Sequence, residues 1–395
     1  MEKHTNLTHN QHFVSQAEQR MNSCSDNPSK KKAKIFRFTV DENQPSTINP
    51  QNKATIEKNL AFHDLFTIMR TDHDKRINLE ALFNRYETDY AESARSIIEA
   101  ISMARSNPGS ATLPLAEERR EYPKDSPTID LIKRIYRHKI LVGARNPLRV
   151  KETLGRFQDL LDHSVADLEA LALHWALDGK DPREERHICE TYKLSRGDYR
   201  KWIRLLILLL YRKADEEALL DGCVDEFFNA KDYMTLIQVH SFKEGCALLP
   251  DTGVVTDALD DGIVTYMNVS KHCIIAVQHT KIETPRFDAL CRSRRMTFEE
   301  RREAIESLGS SIQACLVLDD RAILEGYNNI CVKACASEVF SGAKEVPGIR
   351  VAEKRGTASA VMRPTDDDPS TSLWFDGHAN DPQRRVWRMH APPAP

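Results

Sequence analysis

Beyond the first 55 residues, apolar positions recur at helical spacing along much of the chain. Ile56, Leu60, Leu65, Phe66 and Met69 begin the pattern. Ile97, Ile98, Ile101 and Met103 continue it in a helix expected over residues 86–105, which Asn107-Pro108-Gly109 closes. Three helices are expected within residues 164–213. Ser164 and Asp167 open the first in the manner of a capping box, and Leu168, Leu171, Ala172, Trp175 and Ala176 form its buried stripe. Asp181 and Pro182 open the second, which runs to about Lys193, with proline at the position where its missing N–H costs nothing. Ser195 and Asp198 open the third, which continues to Lys213 and contains the wholly apolar run Leu205 to Leu210. The apolar run from Ile263 to Val277 fits either a helix or a pair of strands. Thr297 and Glu300 cap a helix to Leu308, and a last helix is expected over 321–340.

These patterns predict an all-α protein: a multi-helical globular core with a helix-turn-helix-like unit, flanked by disordered N- and C-terminal arms. The segments are a disordered arm with a basic cluster (1–55), an N-terminal helical subdomain (56–105), a linker (106–126), a main helical domain (127–340) and a mostly disordered tail (341–395). The arms are assigned from polar or Pro/Gly/Asp-rich composition, which buries too little apolar surface to offset ordering entropy. Across the 395 residues an apolar content of 41% allows a sizeable core.

The formal charge of -3 conceals a segregation of charge along the chain. Residues 131–156 hold eight Lys and Arg against the single acid Glu152, with Tyr136 and Phe157 as aromatic neighbours. Residues 214–262 hold twelve acids against Lys231 and Lys243. Clustered basic side chains near aromatic rings suit a polyanion, because each neutralised phosphate releases counterions and rings stack on bases. Lys133, Arg134, Arg137, Lys139, Arg145 and Arg149 are therefore candidate nucleic-acid contacts. A solvated helix face and an acidic protein partner remain alternative readings of the same residues.

The short helix, tight turn and following basic helix over 164–213 resemble a helix-turn-helix. Arg196, Arg200 and Arg204 recur every four residues on one face, and with Lys193 and Lys201 they are the expected base and phosphate contacts. A purely structural helical hairpin has the same pattern. Lys30, Lys31, Lys32 and Lys34 read as an import signal, an electrostatic cluster or a plain solvated run. Trp374, Phe375 and Trp387, in polar surroundings, are candidate anchors for a partner or a second copy, or fold back onto the core.

Other chemistry is weakly represented. Residues 72–83 resemble the second half of an EF-hand loop, but Arg70 stands at the first ligand position, Lys75 at the glycine and Ala81 at the bidentate glutamate. His272, Cys273, His279 and Cys291 lack the recurring spacing of a structural zinc site. No phosphate-cradling glycine loop, nucleophile elbow or His-Glu-x-x-His occurs, so no catalytic residues, metal or cofactor are expected. The nine irregularly spaced cysteines, with no apolar leader in the first sixty residues and no membrane-length apolar run, predict reduced thiols and an intracellular location. That location is nuclear for a eukaryotic or viral protein and otherwise cytoplasmic.

The resulting expectation is a non-enzymatic nucleic-acid-binding protein with DNA or RNA as partner, foremost a DNA-binding regulator. The alternatives are an RNA-coating or nucleoprotein-like assembly protein, and a protein-binding adaptor or secreted effector. The C-terminal tail offers an attachment for a protein partner or a homo-oligomer.

Overall fold

The computed structural model describes residues 9–25, 27–29, 31–41, 44–69, 76–108, 110, 114–161, 168–178, 180, 182–212 and 216–352. The N-terminal part runs β1 (Asn10–His12), α1 (Gln16–Met21), β2 (Lys34–Asp41), β3 (Gln44–Pro50), β4 (Ala54–Thr55), β5 (Ala61–His63), β6 (Thr67–Met69) and β7 (Arg76–Asn78). The helical middle holds α2 (Asn84–Ser106), β8 (Arg120–Pro123), α3 (Pro127–Ala144), α4 (Val150–Arg156) and α5 (Gln158–Leu161). It continues through α6 (Leu168–Asp178), α7 (Pro182–Tyr192), α8 (Arg196–Leu210) and α9 (Leu219–Asn229). The C-terminal part comprises β9 (Tyr233–Ser241), β10 (Leu249–Pro250), β11 (Val255–Leu259), β12 (Gly262–Ser270), β13 (Cys273–Lys281), α10 (Pro285–Ser293) and α11 (Phe298–Ser310). It ends with β14 (Ser311–Leu318), α12 (Arg321–Ala334), β15 (Glu338–Ser341) and β16 (Arg350–Val351).

The fold is mixed α/β, with four sheets among the described residues, and the all-α expectation is corrected. The central sheet has the order β11-β12-β13-β9-β14-β8. Its long strands carry alternating β-branched residues such as Ile237 and Val239, or Ile275 and Val277, all buried. β13 lies antiparallel to β9, opposing Ile275 to Val239, and β14 lies parallel on the other side, opposing Leu316 to Val239. The ambiguous apolar run therefore resolves as the β12–β13 hairpin, each strand finding its partners across the sheet.

The N-terminal segment is ordered where it is described, against the expected disordered arm. β2 lies between β15, some three hundred positions away in sequence, and β3, in the sheet β10-β15-β2-β3-β16. Phe38 and Ile48 are buried there against Leu324, Tyr327 and Val332 of α12. The apolar cover comes from the far end of the chain, so local composition understates the surface that β2 and β3 bury. Likewise, the expected helix 321–340 stops at Ala334 because Asp251 accepts hydrogen bonds from the backbone amides of Ala336, Ser337 and Glu338, at 2.7–2.8 Å, and turns the chain into β15.

Residues 56–69 form a short 3₁₀ helix (Ile56–Lys58), strands and turns rather than an α-helix, although Ile56, Leu60, Leu65 and Phe66 are buried as their apolar character demands. In the EF-hand-like stretch, Arg76–Asn78 pairs with β6 and residues 79–82 form one 3₁₀ turn, while positions 70–75 lie outside the described residues. The three-helix stretch is present as α6, α7 and α8. The Ser195 hydroxyl accepts from the Asp198 amide at the start of α8, whereas Ser164 and Asp167 lie outside the described residues. α8 packs among α4, α5, α6, α7 and α9, and its Trp202 is fully buried with Nε1 donating to the Ala144 carbonyl at 2.6 Å.

Candidate nucleic-acid interface

The basic stretch after Leu131 forms most of α3 and the turn into α4, and the acidic block supplies α9 packed beside α3. Charges segregated in sequence are thereby paired in space. Arg137 meets Asp225 at 2.6 Å and Asp221 at 3.7 Å, Lys133 meets Asp225 at 3.8 Å, and Arg85 of α2 meets Asp221 at 2.5 Å. Arg145 is buried, with Glu87 at 2.7 Å and its Nε donating to the Phe13 carbonyl. Lys139 is buried against Glu18 of α1 and donates to the Gly253 carbonyl. Arg134 pairs one turn back with Asp130 at 2.7 Å, and Arg149 and Arg156 share Glu152.

Around Lys139 the environment is buried and polar. His138 stacks on Tyr90 at 4.3 Å, with its Nε2 3.2 Å from the Ser15 hydroxyl and 3.4 Å from Glu18. Burial pushes the His138 imidazole down and would push the Glu18 carboxyl up, but Lys139 and His138 together hold Glu18 below the ordinary carboxylate range. No described side chain in this group opens to solvent, so the group ties α1 to α3 and offers no surface for a ligand.

The arginines of α8 are also engaged within the fold. Arg196 and Arg200 both meet the buried Glu185 of α7, Arg200 at 2.8 Å, and Arg204 meets Asp178 at the end of α6. They therefore hold α8 against its two preceding helices. A recognition helix needs one open flank to enter a groove about 12 Å wide. α8 instead buries Tyr199, Trp202, Ile203, Leu205 to Ile207, Leu209 and Leu210, leaving Lys201 exposed and Lys193 exposed in the preceding turn. An open groove of about 360 Å³ beside α7 is lined by Glu185, Arg186, Cys189, Glu190, Leu194 and Arg196, a set of mixed charge.

A different positive surface is assembled from the N-terminal strands. β2 pairs with β4, placing Lys34 opposite Thr55 and Ile35 opposite Ala54. The pairing brings the exposed Lys31, Lys32 and Lys34 to the same edge as the exposed Lys53 and Lys58. Lys53 sits 4.2 Å over the half-buried Phe36 ring. Glu57, 3.5 Å from Lys31, is the acid that meets this lysine group among the described residues. Lys30 lies outside the described residues, as do Trp374, Phe375 and Trp387. Sequence reasoning missed Lys53, Lys58 and Phe36, although the β-prone run Lys34-Ile-Phe-Arg-Phe-Thr-Val40 was the signal that could have found them.

His272, Cys273, His279 and Cys291, whose spacing in sequence already argued against a zinc site, do not gather into a metal-binding group among the described residues. His279 is buried beside Tyr233, with rings 4.5 Å apart, and Cys273 lies at the opposite end of β13. Among the described residues no helix is long and apolar enough to cross a membrane. Comparison with protein-family models, curated proteins and solved structures gives no match.

Proposed function

We propose that this is a non-enzymatic nucleic-acid-binding protein that holds phosphate backbone on the lysine edge of β2 and β4, without reading base sequence. The observation carrying the reading is the group of five exposed lysines, Lys31, Lys32, Lys34, Lys53 and Lys58, which Glu57 meets among the described residues. Lysine ammonium groups at a strand edge supply the charge that a phosphate backbone uses, with Lys53 itself lying over the Phe36 ring. The α3 and α8 residues support the surface indirectly, by holding the fold together. All nine cysteines are free thiols, in keeping with an intracellular, reducing compartment, nuclear in a eukaryotic or viral setting.

Salt-dependent binding of the full chain to single-stranded RNA and to mixed-sequence duplex DNA tests the reading. Affinity is expected to fall with salt at a slope of about -0.7 per phosphate contact on single strands. In K31E/K32E/K34E both the affinity and the slope are expected to drop, with the fold intact because these side chains are exposed. Absence of binding to either nucleic acid at low salt overturns the proposal.

One observation favours a second reading, a protein-binding adaptor. α6 is apolar on both sides: Ala170, Leu173, Ala176 and Leu177 are buried, while Leu168 and Trp175, two turns apart, are 78% and 63% exposed. Substitution of Trp175 by Glu would abolish partner capture under this reading and leave nucleic-acid affinity unchanged under the first.

A further inference from the structure

Where the N-terminal segment meets β5, His9, His63 and Asp64 converge. The β1–β5 ladder sets Asn10 opposite His63, and the Asp64 amide donates to the His9 carbonyl at 2.8 Å. The two imidazoles stack with centroids 5.0 Å apart. Each places Nδ1 3.2 Å from the same oxygen, Asp64 Oδ2. Among the described residues this is the group of three or more His, Cys, Asp or Glu side chains whose ligand atoms gather within 4.8 Å of one another.

From this geometry we infer that His9, His63 and Asp64 form a three-ligand site for a divalent transition metal of the zinc class. Metal bonds of about 2.1 Å at tetrahedral or octahedral angles put neighbouring ligand atoms about 3.0–3.4 Å apart. The two Nδ1–Oδ2 separations of 3.2 Å fall within that range. Two imidazoles and one carboxylate suit zinc and its neighbours over calcium or magnesium, which take oxygen ligands. The imidazoles are 54% and 69% exposed, so rotation about their side-chain bonds closes the remaining gap without moving the backbone.

The carboxylate is already aimed. Arg76 and the Thr67 hydroxyl donate to Asp64 Oδ1, so the other oxygen is the one presented to both rings. Such outer partners orient a ligating group and fix which of its atoms faces the ion. Asp64 itself is held at φ 53, a left-handed conformation that L-residues adopt at a cost and Asp tolerates better than most. Three protein ligands leave a coordination position for water or an incoming ligand, as in open rather than closed zinc sites. The site lies at the ends of β1 and β5, uses none of the lysines of β2 and β4 as ligands, and does not depend on nucleic-acid binding.

The test uses the full chain stripped with chelator and titrated with Zn²⁺ against a chromophoric competitor. One saturable equivalent per chain is expected, and H9Q/H63Q is expected to weaken it by at least about 100-fold, more than loss of an outer partner does. H187Q, at an exposed histidine outside the ligand group whose ring lies against Phe62, is expected to match the parent. Imidazole NMR of the unmodified chain gives a measurement independent of variant folding: two histidine signals should shift together up to one equivalent of Zn²⁺. Failure to saturate at one equivalent, the same affinity in H9Q/H63Q as in the parent, or no paired histidine shift overturns the inference.

Discussion

Lys139 and Glu18 lie 121 positions apart in sequence and meet as an ion pair with neither side chain exposed to solvent. The pair joins α1, in a segment whose composition reads as a disordered arm, to the central helix α3. Two charges withdrawn from water are tolerable only together, so each residue makes the other's position obligatory.

Replacing Lys139 by Met leaves the Glu18 carboxylate buried without its main counter-charge. A loss of about 3–5 kcal/mol in unfolding free energy is expected from urea denaturation at neutral pH. E18Q/K139M, which removes both charges, should recover much of that loss. A double variant no more stable than K139M would show that Lys139 acts through something other than the pair.

The arginines of α8 are expected to behave as structural residues. Arg200→Glu sets a carboxylate beside the buried Glu185 and near Asp178, and should lower stability by about 2 kcal/mol or more. Under conditions where the variant remains folded, its affinity for nucleic acid should equal that of the parent. A selective loss of binding with unchanged stability would return α8 to the interface.

Burial, and after it the charge of Lys124, pushes His279 from its ordinary 6.5 down to about 3. The unfolded chain takes up this proton near 6.5 and the folded chain resists it. The stability associated with neutral His279 is therefore complete above about pH 6.5 and is lost as pH falls toward 3, by at most about 1.4 kcal/mol per pH unit. His240, pushed down to about 4 by burial, adds a contribution of the same sign. Urea midpoints at pH 7.5 and 5.0 should differ accordingly. His279→Phe, which keeps a ring beside Tyr233 and Phe227, should make the dependence shallower. An unaltered pH slope in that variant would contradict the assignment.

Much of the helical detail was legible in the chain. Pro182 opens α7, Ser195 caps α8, and Thr297 with Glu300 forms a complete capping box at α11, because caps and helical periodicity act within a few residues. The strands were not legible to the same degree. Phe38 in β2 is buried by α12 and hydrogen-bonded through β15, elements found near residues 321–341, and no local pattern discloses that cover. The candidate interface shows the same division. Lys31, Lys32 and Lys34 stand out in sequence, whereas Lys53 and Lys58 join them through the β2–β4 pairing.

By itself, the sequence determined where charge and apolar surface are concentrated and where the central helices begin. Tertiary structure decided which charges remain available to a ligand. Arg137, Lys139 and Arg145 are prominent in the most basic stretch of the chain, yet Asp225, Glu18 and Glu87 neutralise them from distant segments. An electrostatic interaction strengthens as the partners approach and as water is excluded, and separation along the chain does not enter. A map of charge against residue number therefore describes the composition of the surface and core together, and only the fold separates the two.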